Sequence, residues 1–215
     1  MNNIDNNNNI NIFISKIPFY KSINNNVFIY ENVLSIALIN ECEKFAYMCI
    51  NKNIYSTTNH LSWGSEIVDK SDIIKIIKLE NENPQLKEKI CYELQNSYNF
   101  MTEGLKLNIH IMYENCYIND HYDDHVDYAF TIYLNKKWEK INGGIFQFDI
   151  DNTIYNILPK YNTMVLLKNN IHRVTNITSN CIRITLQGFY SESFFYKNNS
   201  INYLLYDKNS GIIKF

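Results

Sequence analysis

The chain of 215 residues is 46% hydrophobic and 20% charged, which is enough apolar material for one sizeable core. Its 20 Lys and Arg against 22 Asp and Glu give a formal charge of −2 without long runs of one sign, which argues against a dedicated nucleic-acid-binding protein. There is no long apolar run and no basic and apolar signal at the N-terminus, so we expect a cytoplasmic protein without a membrane partner.

The sequence predicts one domain behind a short tail. Residues 1–10 are polar and rich in asparagine, so we expect them to be disordered, and residues 11–215 are expected to form a single domain. The five cysteines are scattered and lack a CxxC pair, which fits neither a disulfide framework nor a cysteine-based zinc site.

The first part of this domain, residues 11–104, is predicted to be a largely helical layer. Apolar residues recur at three- and four-residue spacing from Leu38 to Cys49, which is typical of an amphipathic helix, and Ser35 is placed to cap its first turn. Asn83-Pro84 gives the start signal of another helix. The apolar run at residues 73–77 fits either a short helix or a short strand.

The hydrophobic period changes to two after residue 104, where apolar residues from Leu105 to Tyr113 alternate with more polar ones. Gly143-Gly144 is interpreted as a hairpin turn. Further strands are predicted at residues 128–134, 145–150, 153–157, 163–168 and 181–190. Helices followed by many short strands predict an α+β domain built on a β-sandwich or barrel, with its β core at residues 105–190.

Two overlapping His-x-Asp pairs, His121/Asp123 and His125/Asp127, lie between two predicted strands. In an extended segment residues two apart point the same way, so either pair can place an imidazole nitrogen and a carboxylate oxygen on one metal ion. His172, at a predicted strand start, can supply a third ligand. Two histidines and one carboxylate leave coordination positions open, as non-haem Fe(II) oxygenases require, whereas a structural zinc site would need a fourth protein ligand.

Chain geometry favours the first of these pairs. The second pair would place the ligand carboxylate directly against the next strand, whereas the first leaves residues 124–127 to turn the chain. The second pair stays open as an alternative. The remaining histidines, His60 and His110, are interpreted as solvent-exposed or packing residues and not as ligands.

A polar row on the last predicted strand indicates a binding cavity. Arg183, Thr185 and Gln187 share one face of this strand, while the residues between them are apolar and share the other face. Arginine is suited to bidentate binding of a carboxylate, and a hydroxyl two residues further on can add a hydrogen bond to the same group.

The order of these motifs resembles the prolyl 4-hydroxylase-like branch of the Fe(II)/2-oxoglutarate-dependent dioxygenase superfamily. The matching features, in chain order, are Tyr113, His121-Tyr-Asp123, the segment from Tyr133 to Trp138, Gly143-Gly144, Pro159, Asn162, His172, Arg183-Ile-Thr185 and Gly188-Phe189. The resemblance covers residues 105–190. It implies a double-stranded β-helix core, of the jelly-roll or cupin-like kind, with the N-terminal helices packed on one sheet.

The resemblance also implies roles for individual residues. The implied iron ligands, which would also carry the catalysis, are His121, Asp123 and His172. The implied cosubstrate residues are Arg183, which would hold the distal carboxylate of 2-oxoglutarate, Thr185, Tyr133 and, as a secondary candidate, Tyr113. The cofactors would be Fe(II), 2-oxoglutarate and O2, with ascorbate as an optional reductant.

The activity that this resemblance implies is hydroxylation of an aliphatic C–H bond, with a prolyl residue of a protein or peptide as the favoured target. Alternatives are a hydroxylase of a free amino acid or natural-product intermediate and, from another class, a cupin-like metal-binding sensor or a zinc hydrolase that works without 2-oxoglutarate. Residues 56–67 and 191–215 are expected to select the substrate. We expect a monomer or homodimer.

Overall fold

The computed structural model describes residues 20–191, with gaps at residues 25, 59–73, 124–125 and 169. Its helices are α1 (Ile36–Lys52), α2 (Leu79–Glu82) and α3 (Pro84–Tyr98). Its strands are β1 (Tyr20–Asn24), β2 (Val27–Glu31), β3 (Ser56–Thr58), β4 (Ile74–Lys78), β5 (Lys106–Met112), β6 (Ile118–His121), β7 (Tyr128–Tyr133), β8 (Phe146–Ile150), β9 (Thr153–Ile157), β10 (Thr163–Leu167), β11 (His172–Val174) and β12 (Arg183–Tyr190). The predicted tail, His60, His125 and most of the two predicted substrate-selecting segments lie outside the described residues.

Two antiparallel sheets form the core of the fold. The major sheet has eight strands in the order β1-β2-β10-β7-β12-β5-β4-β3, and the minor sheet has four in the order β6-β11-β8-β9. Neighbouring strands come from distant parts of the chain, as in a jelly roll. The predicted double-stranded β-helix core is confirmed.

Apolar clusters lie on both sides of the major sheet. On its outer side α1 and α3 pack against alternate residues of β5, β7 and β12, and on its inner side a second cluster joins it to the minor sheet. The buried stripe of α1 is the predicted one: Leu38, Ile39, Cys42, Ala46 and Cys49. The helices therefore cover one sheet, as predicted, and leave the space between the two sheets for a cavity.

The predicted starts of both long helices are confirmed. The Ser35 hydroxyl accepts a hydrogen bond from the backbone N–H of Leu38, and the Asn83 side chain accepts one from Leu86, with Pro84 in the first turn. None of the described helices is long and apolar enough to cross a membrane.

The residues before 104 are less helical than the sequence pattern predicts. β1 and β2 extend one edge of the major sheet, and β3 and β4 extend the other edge. These strands are three to five residues long. A run this short shows too little periodicity to distinguish a strand from a helix, and pairing with a preformed sheet decides its conformation.

Asn162 joins the helical layer to the major sheet. Its side-chain oxygen accepts from the backbone N–H of Leu34 at 2.9 Å, and its side-chain nitrogen donates to the carbonyl of Leu34 at 2.7 Å. Its backbone N–H donates to the backbone carbonyl of Tyr133 at 2.9 Å, and the φ angle of Asn162 is +57°. Because Asn162 is buried, these bonds fix how α1 enters the fold.

Replacing Asn162 with Ala should lower the free energy of unfolding by about 3 kcal/mol, since two buried backbone groups of Leu34 lose their partners. Denaturant titration measures the loss. Asn152→Ala is the matched control, because Asn152 has a similar φ of +62° in an exposed turn. The control should cost about 1 kcal/mol. Equal losses in the two variants would contradict this role of the buried side chain.

Candidate active site

The two sheets bring His121, Asp123 and His172 together. His121 ends β6, His172 begins β11, and the two residues are paired across these strands. One ligand atom from each of the three side chains lies within 4.8 Å of the others. The His172 Nε2 to Asp123 Oδ2 distance is 3.6 Å, and the two imidazole centroids are 4.1 Å apart. The arrangement suits one divalent metal ion.

Backbone carbonyls orient both imidazoles. His121 Nδ1 is 2.8 Å from the carbonyl oxygen of Asn119, and His172 Nδ1 is 2.9 Å from that of Asn170. A carbonyl only accepts, so in each ring Nδ1 carries the hydrogen and Nε2 keeps its lone pair for a metal. Burial lowers the pKa of His172, and His121 lowers it further, against the opposing effect of Asp123. The neutral ring is the form that binds metals.

Asp120 lies beside His121 but has a different partner. Its carboxylate accepts from Arg173 Nη1 at 2.7 Å, and Arg173 Nε donates to Gln147 Oε1 at 2.6 Å. These contacts tie β6, β11 and β8 together on the side of the minor sheet away from the cavity. Asp120 therefore supports the strands that carry the two histidines.

Arg183 is a buried cation without an anionic partner among the described residues. It is 1% exposed, its Nε donates to the carbonyl of Gly144 at 3.1 Å, and its Nη1 contacts the sulfur of Met112 at 3.6 Å. Its Nη2 makes no hydrogen bond within the described part of the chain. Burying a cation in this state is costly, and a bound anion would offset the cost.

Tyr133 lies against this cation. The guanidinium carbon is 5.5 Å from the centroid of the Tyr133 ring, and the buried hydroxyl, which interacts with Arg183, has no hydrogen-bond partner of standard geometry among the described residues. Burial raises the pKa of Tyr133 to about 12, against the opposing charge of Arg183, so the phenol stays neutral and able to donate. Arg183 and Tyr133 together offer unused donors to one anion.

The strand registers extend this arrangement into a polar row. Thr185 of β12 lies between Tyr133 of β7 and His110 of β5, and its side chain is buried. His110 packs in this row as a buried residue, and burial together with the charge of Arg183 lowers its pKa to about 3. The imidazole of His110 is therefore neutral at physiological pH.

Between the sheets lies a cavity of about 860 Å³. The three candidate metal ligands line it, together with His110, Thr131 and Gln187 of the major sheet. Its outer end is marked by the exposed residues Lys78, Asn81 and Lys106. Arg183, Thr185 and Tyr133 do not line the open space; they lie further along β12 and β7 than the lining residues Gln187 and Thr131.

The structure places Tyr113 elsewhere. Its hydroxyl accepts a hydrogen bond from Lys75 Nζ at 3.2 Å, and its ring packs with the helical layer on the outer side of the major sheet. Tyr113 does not line the cavity. Tyr113 directly follows β5, which ends at Met112. Side chains alternate along a strand, so Tyr113 lies on the face opposite to His110.

Gly143-Gly144 is not a hairpin turn, and that interpretation is wrong. The pair follows a short 3-10 turn and precedes β8 of the minor sheet, and Gly143 forms an isolated bridge with Ile177. A Cβ on Gly144 would lie 2.9 Å from Arg183 Cδ, and φ is +59°. Glycine is therefore needed for the carbonyl of Gly144 to approach Arg183, a contact between distant segments that sequence spacing does not reveal.

The fold is a jelly roll, and its candidate ligand set of two histidines and one carboxylate is of the kind that non-haem Fe(II) oxygenases use. Residues 98–191 match the family model described as the 2OG-Fe(II) oxygenase superfamily. No curated protein matches the chain.

Solved structures with a similar fold include three prolyl hydroxylases. One from Trichoplax adhaerens, in complex with a peptide fragment of the hypoxia inducible factor oxygen degradation domain, shares 15% identity over 82% of this chain and 88% of its own, with a TM-score of 0.62. A Pseudomonas putida prolyl-4-hydroxylase shares 11% identity over 77% and 92%, with a TM-score of 0.59. The viral collagen prolyl hydroxylase of Paramecium bursaria Chlorella virus-1 shares 15% over 76% and 94%, with a TM-score of 0.52. At these identities the likeness shows the fold.

Proposed function

We propose that the protein hydroxylates an aliphatic C–H bond of a prolyl residue in a protein or peptide, using 2-oxoglutarate and O2 and releasing succinate and CO2. His121, Asp123 and His172 would hold Fe(II). Arg183, with Thr185 and Tyr133, would hold the distal carboxylate of 2-oxoglutarate, and ascorbate would be an optional reductant.

The buried, uncompensated guanidinium of Arg183 carries this proposal. A metal-binding sensor or a zinc hydrolase has no need for a buried cation behind its metal site, because metal-bound water needs only an open position and a base. A dicarboxylic cosubstrate needs a metal at one end and a cation at the other. The three candidate ligands line the cavity, and the buried Arg183 guanidinium lies further along the major sheet, which supports this pairing.

Each group of side chains has a defined task in this activity. Iron with its bound cosubstrates supplies the oxidation. The carbonyls of Asn119 and Asn170 hold the ligand imidazoles with Nε2 toward the metal. Arg183 fixes the far end of the cosubstrate and so sets its orientation, while the apolar residues between the sheets exclude water from the reacting centre.

Two observations favour a peptide as substrate. The cavity is continuous from the three candidate ligands to exposed residues at its outer end, which gives an extended chain a route to the metal. The three similar folds named above are prolyl hydroxylases, and one of them was solved with a peptide.

The test is cosubstrate turnover with matched substrates. Fe(II)-loaded protein should release succinate above its uncoupled rate when given proline-containing peptides, and the peptides should gain one oxygen atom by mass spectrometry. Peptides with Ala in place of Pro are the control. Stimulation by free proline or another free amino acid, with no oxygen gained by any peptide, would overturn the peptidyl assignment.

A further inference from the structure

A directed chain of hydrogen bonds crosses the inner face of the major sheet beside the proposed cosubstrate site. Thr131 Oγ1 donates to Gln187 Oε1 at 2.7 Å, and Gln187 Nε2 donates to Thr185 Oγ1 at 3.1 Å. These three residues lie on adjacent strands, since Thr131 of β7 pairs directly with Gln187 of β12. The direction runs from Thr131 through Gln187 to Thr185.

The direction matters because an amide has distinct ends. The side chain of Gln187 can donate only through its nitrogen and accept only through its oxygen, so Thr131 at the oxygen end leaves the nitrogen end for Thr185. A threonine hydroxyl has a single hydrogen. Once Thr185 accepts from Gln187, its own hydrogen is left to point away from Gln187.

An anion accepts hydrogen bonds and offers none in return. Arg183 and Tyr133 already present donors at this end of the strands, and a Thr185 hydroxyl pointing toward them with its hydrogen would add a third. If the Thr185 hydroxyl instead turned its lone pairs toward the anion, it would repel the anion. Linked hydrogen bonds also polarise one another, which strengthens the last donor.

We infer that Gln187, held by Thr131, is a positioning residue that presets the Thr185 hydroxyl as a donor to the distal carboxylate of 2-oxoglutarate. This inference rests on the proposed function. Gln187 and Thr131 act on the carboxylate only through Thr185. Gln187 and His110 both line the cavity.

The experiment measures binding without turnover. The full chain is loaded with Mn(II), and its affinities for 2-oxoglutarate and 2-oxovalerate are measured by calorimetry. The two ligands share the metal-chelating end and the chain length, but 2-oxovalerate lacks the distal carboxylate. Substituting a residue that acts on that carboxylate should change the ratio of the two affinities. General damage to the site should lower both affinities by the same factor.

Two substitutions of Gln187 separate direction from packing. Gln187→Glu keeps the shape but only accepts, so Thr185 must donate to it, and affinity for 2-oxoglutarate should fall by about 100-fold. Gln187→Met removes both bonds without adding charge and should cost about ten-fold. Affinity for 2-oxovalerate should stay within about two-fold in both variants.

Two further variants complete the set. Thr131→Val, which keeps the shape of the side chain, should cost a few-fold in 2-oxoglutarate affinity because the amide loses the partner that sets its direction. Gln85→Glu adds the same charge on the exposed surface of α3 and should change neither affinity. Mn(II) affinity checks that each variant is folded.

The outcomes distinguish this inference from the proposed function. The positioning role is overturned if both Gln187 variants bind 2-oxoglutarate as tightly as the unsubstituted protein does. It is also overturned if each variant loses affinity for 2-oxoglutarate and 2-oxovalerate to the same degree. In both cases the proposed function stands. If the unsubstituted Mn(II) protein binds no 2-oxoglutarate, both are overturned.

Discussion

Arg183→Met should abolish cosubstrate binding while leaving the fold at least as stable as before. Affinity for 2-oxoglutarate should fall by at least about 100-fold, because charge-assisted hydrogen bonds worth about 1.5–3 kcal/mol each are removed. The free energy of unfolding of the metal-free chain should stay the same or rise by about 1–3 kcal/mol, since a buried cation without an anionic partner is replaced by an apolar side chain. Calorimetry and denaturant titration give the two values.

Arg173→Met is the matched control for this substitution. Arg173 is half-buried on the minor sheet and paired with Asp120, so its loss should destabilise the chain by about 1 kcal/mol. Any effect on the metal site should lower the affinities for 2-oxoglutarate and 2-oxovalerate by the same factor. The two variants should thus have opposite effects on stability. A large loss of stability in Arg183→Met, with cosubstrate affinity retained, would mean that Arg183 is structural.

His121→Ala should lower Fe(II) affinity by at least about 100-fold, because even the loss of an outer hydrogen-bond partner of a ligand costs 10- to 100-fold. Oxidative turnover should be lost with it. The backbone contact to Asn119 and the pairing with His172 place this imidazole in the candidate metal site. Anaerobic equilibrium titration with Fe(II) gives the affinity directly.

The companion variant is His125→Ala, which removes the histidine of the neighbouring His-x-Asp pair. It should bind Fe(II) and turn over 2-oxoglutarate as the unsubstituted protein does. The reverse result, with iron lost in His125→Ala and kept in His121→Ala, would assign the metal to the second pair.

The elements that the sequence predicts well are those with a strong local signal. α1 has a capping serine and a complete apolar stripe, and the strands at residues 153–157 and 163–168 agree with β9 and β10 to within a residue. The spacing of His121 and Asp123 is local as well, and a neighbouring strand then supplies His172. Local pattern also placed Arg183, Thr185 and Gln187 on one strand face, which the registers confirm.

The remaining features depend on how distant segments meet. The contact between Gly144 and Arg183 spans 39 residues, and the bond from Thr131 to Gln187 spans 56. Both depend on strand register, which hydrophobic alternation constrains only in parity. Tyr113 is a different case, because alternation puts it on the apolar face of β5 and only the family resemblance implied a cosubstrate role.

The proposed arrangement places iron at the two histidines and Asp123 in the cavity and the distal carboxylate of 2-oxoglutarate at Arg183, further along the major sheet. Anaerobic titration of the metal-free protein with Fe(II) and then 2-oxoglutarate tests it most directly. A visible metal-to-ligand charge-transfer band should appear only when both are present, and it should be absent from the His121→Ala variant. A folded protein that binds Fe(II) but develops no band at saturating 2-oxoglutarate would contradict the account.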